Sequence, residues 1–284
     1  MKILDNETLK KIQSLSLQVN IPVSGQAAGN RKSRNKGSSV EFSDFREYVP
    51  GDDFRRVDWN AYGRFDKLYV KLFMEEREAP VQIFLDTSLS MAFGEPDKNI
   101  AARRLAAAIS YLSLISYDRV MIVPWNNKVK NAYGPYRTQA AFMQVVNLLE
   151  ELPDHGLSDF SDAIKSMEWK TGRGISIIIT DGLIDSGMEE GLKYLKYRRQ
   201  EIYFCHILSP QEMSPQIDGA LELVDSETGK IMEVTVSGAL LESYEKSIKQ
   251  FLSGIKEQCK KWGVHYSLLL SDMPVDRMVK QMIS

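Results

Sequence analysis

Hydrophobic and polar positions along this chain change period repeatedly, from short apolar runs to stripes at helical spacing and back. The run Val81-Gln82-Ile83-Phe84-Leu85 reads as a buried strand ending at Asp86, and a helix follows from about Lys98 to Tyr117. Arg119 to Pro124 predicts a second strand and Val129 to Tyr133 a short third one. Thr138 is placed to cap a helix with Phe142, Val145, Val146 and Leu149 on one face, and a further helix is expected after Ser158. Ile175 to Thr180 is the next buried strand, Met188, Leu192 and Leu195 mark another amphipathic helix, and Ile202 to Leu208 supplies another strand. Strands alternating with helices predict a mostly parallel sheet covered on both faces.

Two departures frame this rhythm. Leu221 to Asp225 and Ile231 to Val234 flank Ser226-Glu227-Thr228-Gly229-Lys230, the composition of a β-hairpin with a glycine-containing loop. A long helix then carries Leu241, Tyr244, Ile248, Phe251, Ile255, Cys259 and Trp262 on one stripe, and Val264 to Leu270 makes the last strand. Ahead of the sheet, Leu9, Ile12 and Leu15 recur at helical spacing, so a short amphipathic helix is expected to dock on the main domain before the basic loop Gly25 to Ser39. The expected architecture is therefore α/β: a doubly wound, mostly parallel sheet over 80–284, with an N-terminal extension over 1–79 and an inserted hairpin.

Composition narrows the function classes. The 284 residues are 43% hydrophobic, enough for one α/β core with an appendage. With 36 Lys and Arg against 38 Asp and Glu, the formal net charge of -2 argues against a chain built to neutralise phosphates, so no nucleic acid partner is expected. Four basic residues from Arg31 to Lys36, without interleaved aromatics, do not reverse that expectation. Cys205 and Cys259 lie in apolar-patterned segments and form no C-x-x-C, which fits a reducing compartment. No apolar stretch is long enough for a bilayer, so no transmembrane segment and a cytoplasmic location are expected.

Candidate chemistry concentrates at strand ends. Asp86-Thr87-Ser88-Leu89-Ser90 places an acid and two alternately spaced hydroxyls where open α/β sheets bind ligands, and hard cations take such oxygens. Capping of the next helix is the competing reading. Ile177-Ile178-Ile179-Thr180-Asp181-Gly182 ends a second buried strand in an acid, and Gly156-Leu157-Ser158-Asp159 opens a helix with a hydroxyl. Helix capping has to explain all three sites at once. Oxygen ligands serve Mg²⁺, Mn²⁺ and Ca²⁺ alike.

In that order, Asp86, Ser88, Ser90, Ser158 and Asp181 resemble the metal-ion-dependent adhesion site of von Willebrand factor A-type domains. The resemblance implies a Rossmann-type sheet and a divalent cation, most simply Mg²⁺, held by Ser88, Ser90 and the loop hydroxyl, with Asp86 and Asp181 holding its water ligands. Family members commonly carry threonine at the loop position, and Asp159 is the neighbouring alternative to Ser158.

Upstream, Glu41-Phe42-Ser43-Asp44-Phe45-Arg46-Glu47-Tyr48-Val49-Pro50-Gly51-Asp52-Asp53-Phe54-Arg55-Arg56-Val57-Asp58-Trp59-Asn60, followed by Arg64, resembles the signature of the domain of unknown function 58 family. That resemblance implies a MoxR-type AAA+ ATPase as partner. Alternating acids and arginines around Trp59 are expected to pair, giving Arg46, Asp53, Arg55 and Asp58 structural roles, with a docking face as the alternative reading of the segment.

The expected function is a non-enzymatic, metal-dependent adaptor that engages an acidic residue of a partner protein. The alternative is a metal-dependent hydrolase, with His155 or Asp159 as general base. His206 and His265 lie in apolar strands and read as structural histidines rather than ligands.

Overall fold

The computed structural model describes residues 3, 5–16, 41–74, 80–125, 132–153, 160–166, 173–184, 187–226 and 229–284. Helix α1 (Asn6–Ser16) opens the chain. The chain divides into a small unit within 25–78 and a large unit formed by the rest.

In the small unit, strand β1 (Glu41–Glu47) and helix α2 (Trp59–Phe65) precede strand β2 (Tyr69–Met74), which pairs antiparallel with β1. The charged signature shapes this unit through caps. Asp58 accepts from Asn60 N at 2.9 Å and Ala61 N at 3.2 Å to start α2, and Asp53 accepts from Arg55 N at 3.0 Å to start the turn before it. Arg46 forks onto Asp52 at 2.7 and 2.6 Å. Among the described residues, Arg46 thus serves in an ion pair, while Asp53 and Asp58 cap backbone turns. Arg55 is in no ion pair among the described residues, and Trp59 is exposed, edge-on to Tyr62.

The large unit runs β3 (Pro80–Asp86), α3 (Lys98–Ile115), β4 (Arg119–Trp125), β5 (Tyr133–Tyr136), α4 (Phe142–Glu151), α5 (Phe160–Ser166), β6 (Gly174–Thr180), α6 (Met188–Tyr197), β7 (Gln200–Leu208), α7 (Pro210–Met213), β8 (Gly219–Val224), β9 (Ile231–Val236), α8 (Gly238–Lys261), β10 (His265–Leu270) and α9 (Val275–Ile283). Six strands form one sheet in the order β10-β7-β6-β3-β4-β5, parallel except for the β4–β5 pair, while β8 and β9 form a separate hairpin. Strand order therefore reverses between β3 and β6, which is where a doubly wound sheet opens a crevice at its carboxyl edge.

Period-2 alternation sorts the strands' side chains into two cores. Ile83, Leu85, Ile177, Ile179, Cys205 and Ile207 pack on one face with α1, α3, α4 and α9, and Phe84, Ile178 and Phe204 pack on the other with α5, α6 and α8. All seven residues of β6 are buried, the pattern of a central parallel strand. Truncating such a residue, as in Ile178→Ala, costs about 2–5 kcal/mol.

Four elements depart from the periodicity. The short strand expected at Val129–Tyr133 lies at Tyr133–Tyr136, with 126–131 outside the described residues. Thr138 precedes a 3-10 turn and its side chain makes no cap bond. The apolar stripe of α8 is buried only toward its end, at Ile255 and Cys259, while Tyr244 is exposed. Beyond the last strand α9 buries Val275, Met278, Val279 and Met282, completing one core.

The extension drawn over 1–79 also divides. Ile3 and Ile12 are buried in the core under α3, Ile3 N donates to Glu150 Oε1 at 3.0 Å, and Arg104 Nε donates to Ile3 O at 2.9 Å, so α1 belongs with the sheet. No helix among the described residues is long and apolar enough to cross a membrane.

Candidate functional site

The carboxyl ends of β3 and β6 meet at the strand-order reversal. Asp86, Thr87, Ser88, Ser90, Thr180 and Asp181 are all buried there. Asp86 Oδ1 accepts from Ser88 N at 3.0 Å and its Oδ2 accepts from Thr180 Oγ1 at 2.6 Å, a cross-strand bond that fixes the carboxylate. The Ser88 and Ser90 hydroxyls lie 3.0 Å apart.

Helix capping does not account for this arrangement. The following helix, α3, is capped by Asp97, whose Oδ1 accepts from Asn99 N at 2.8 Å, and Ser88 makes no side-chain cap bond to the turn it precedes. Asp181 Oδ1 accepts from Leu183 N at 3.0 Å, and Gly182 follows at φ +77°, where a Cβ would lie 2.5 Å from Ile255 Cδ1. That position needs glycine for both backbone and space.

The second oxygen of Asp181 reveals a partner that periodicity did not single out. Lys98 Nζ donates to Asp181 Oδ2 at 2.9 Å and to Glu212 Oε1 at 2.5 Å, and the lysine side chain is 1% exposed. Glu212 is held in turn by a capping box, its Oε2 accepting from Ser209 N at 2.7 Å and Ser209 Oγ at 2.9 Å. Sequence carried one signal for Lys98: it is the first residue of a helix, where the macrodipole disfavours a cation unless acids lie close.

His206 supports the same edge from below. Its Nε2 donates to the Asp181 carbonyl at 2.7 Å and its Nδ1 accepts from the Tyr266 hydroxyl at 3.0 Å. Burial pulls its pKa down to about 4, so the ring is a neutral strut, in keeping with the structural role expected of it. His265, on the edge strand β10, stacks on Tyr203 at 4.6 Å.

Electrostatics set this site apart from an ordinary capped loop. Burial, and then repulsion from Asp181, pushes the Asp86 carboxyl up to about 7. Burial alone would pull the Lys98 ammonium down, but Asp181 and Glu212 outweigh it and the net shift is upward. Among the described residues, two carboxylates, Asp181 and Glu212, contact the one ammonium, and the buried Asp86 carboxyl lies beside the Ser88 and Ser90 hydroxyls. Such an all-oxygen, partly anionic donor set fits a hard divalent cation. Among the described residues no three His, Cys, Asp or Glu side chains form a ligand cluster, so hydroxyls are needed to complete any cation site.

Of the expected site residues, Asp86, Ser88, Ser90 and Asp181 come to this edge, whereas Ser158 and its neighbours Asp159 and His155 lie outside the described residues. Leu89, Phe93 and Leu183, which flank those residues in the loops, are exposed.

Fold and site together define an open, doubly wound α/β domain with an oxygen-rich cluster at its strand-order reversal. Residues 44–251 match the family described as protein of unknown function DUF58, and the chain belongs to that family. It is 25% identical over 250 residues to the uncharacterized protein Rv1480 of Mycobacterium tuberculosis, covering 86% of this chain and 78% of that one. Among solved structures it is similar to an aerotolerance-related membrane protein from Bacteroides fragilis (TM-score 0.44, 15% identity, 72% of this chain and 96% of that chain). A similar match is the VWA domain of SpRpn10 (TM-score 0.40, 14% identity, 72% and 95%). At these scores the fold rests on the strand order itself.

Proposed function

We propose that this chain is a non-enzymatic protein-binding module whose Asp86, Ser88, Ser90 and Asp181, with the Ser158 loop hydroxyl, hold a divalent cation, Mg²⁺ in the first instance. The reading is supported above all by geometry: the buried Asp86 and Asp181 carboxyls come together with the Ser88 and Ser90 hydroxyls at the strand-order reversal. A fold that only needed a capped loop gains nothing from burying two acids side by side. When bound, the cation supplies an electrophilic centre with an open position for a carboxylate oxygen of the partner.

The chain's own residues do the rest. Thr180 and Ser88 N orient Asp86, His206 holds the Asp181 backbone, and exposed Leu89, Phe93 and Leu183 offer apolar surface around the buried oxygens. The partner is thus a protein presenting an acidic residue among apolar ones. The family resemblance nominates a MoxR-type AAA+ ATPase for that place.

The test is a pull-down of such an ATPase with the tagged full chain, in Mg²⁺ or EDTA, using wild type, Asp86→Ala and Ser90→Ala. Capture lost in EDTA and in both variants is the expected result. Capture that persists in EDTA with wild type overturns metal-dependent binding.

A further inference from the structure

Lys98 occupies an expensive position. A buried ammonium at the first turn of an 18-residue helix opposes the dipole and loses its hydration, so its ion pairs must recover both costs. Its two partners belong to different parts of the fold: Asp181 ends β6 in the oxygen cluster, and Glu212 sits in α7, beyond β7. The segment between Ser90 and Lys98 is fastened to the same turn. Glu95 N donates to Gln211 Oε1 at 3.2 Å, Gln211 Nε2 donates to Glu95 O at 3.0 Å, and a Cβ on Gly94 would overlap the Ser209 side chain. The Lys98 ammonium also lies 5.8 Å from the centre of the Phe93 ring. The ammonium is therefore held at a fixed place on the acid of the site.

We propose that Lys98 is a built-in counter-cation that sets how tightly the Asp86–Asp181 cluster takes a divalent ion, with Glu212 governing how much of its charge reaches Asp181. This rests on reading the cluster as a cation site. Lys98 draws on the charge of the very carboxylate that would otherwise neutralise the incoming ion. The arriving cation consequently finds a weaker site and keeps more positive charge, which is available to a partner carboxylate. Glu212 works in the opposite sense, by sharing the ammonium and returning negative charge to Asp181. Lys98 is thus a positioning residue, acting through Asp181.

Opposite signs make the proposal testable with Mn²⁺ as the probe, its affinity read by electron paramagnetic resonance on the full chain. Lys98→Gln is expected to tighten Mn²⁺ binding by about tenfold or more, and Glu212→Gln to loosen it by a similar factor, as unit charges at short range in a buried site do. The double variant, which removes one charge of each sign, is expected near wild type. If Asp86→Ala abolishes binding but Lys98→Gln leaves it unchanged or weaker, the cation site stands and this role for Lys98 falls. No Mn²⁺ binding in any variant removes both. Should Lys98→Gln fail to fold, Glu212→Gln decides, and unchanged or tighter binding there overturns the proposal.

Discussion

Two ion pairs in this chain look alike on paper and differ in nearly everything physical. Arg46 and Asp52 in the small unit form a bidentate pair at 2.7 and 2.6 Å, with side chains 43% and 20% exposed. Lys98 and Asp181 in the large unit are 2.9 Å apart, at 1% and 0% exposure. Distance does not separate them; solvent does. Water screens the first pair and stands ready to replace either partner, so its net contribution to stability is small. The second pair has no water to fall back on. Removing one partner there strands a charge, whatever the intact pair contributes.

The largest effect that this contrast predicts is at Lys98. Lys98→Met is expected to destabilise the large unit by about 3–5 kcal/mol in urea unfolding, the cost of leaving a buried carboxylate unpaired. Excess Mg²⁺ is expected to recover part of that loss in the variant, because a divalent ion can neutralise the same cluster. A midpoint no lower than that of Arg46→Met would break the comparison.

Next comes Arg103, buried with Nη1 on Leu149 O at 2.8 Å and Nη2 on Leu152 O at 2.7 Å, where it satisfies carbonyls at the end of α4. Arg103→Met leaves them without those donors, and a loss of about 1–3 kcal/mol is expected in the same unfolding experiment.

In the small unit the expected effects are lesser and local. Asp58→Ala removes both cap bonds of α2 and is expected to cost about 1 kcal/mol, read as faster amide exchange over 59–65 with the large unit unchanged. Arg46→Ala is expected to change exchange in this unit least of all, and the small change to vanish in high salt. For Asp52 the sign is fixed by its Arg46 hydrogen bonds, which hold its carboxyl below the usual range. Whatever the pair contributes is present above the ordinary carboxylate pKa and is lost as pH falls through the lowered one. If Arg46→Ala were as damaging as Lys98→Met, exposure would not be the deciding variable.

Much of the fold was legible because buried parallel strands leave an unmistakable imprint. The runs ending at Asp86, Thr180 and Leu208 are apolar on both faces, and they became β3, β6 and β7. Helix α9 carries the same kind of imprint, with Val275, Met278, Val279 and Met282 at helical spacing, although the elements expected from the pattern ended at the last strand. The exposed half of α8 went the other way. Its stripe has the right spacing, yet the sheet lies only under its far end, since periodicity states which face is apolar and not whether anything covers it.

At the site the same division holds. Asp86, Ser88, Ser90 and Asp181 stand beside strand ends within a few positions of the apolar runs that position them. By contrast, Lys98 and Glu212 are 114 positions apart, and Asp181 and Lys98 are 83 apart. Local pattern determined the strands, their order of appearance and the acids and hydroxyls at their tips, because each is dictated by neighbours two to four residues away. Which helix begins under which strand end was decided only by the winding of the sheet. That winding brought the Lys98 ammonium onto Asp181, since a long-range ion pair depends on crossovers that no short window of sequence contains.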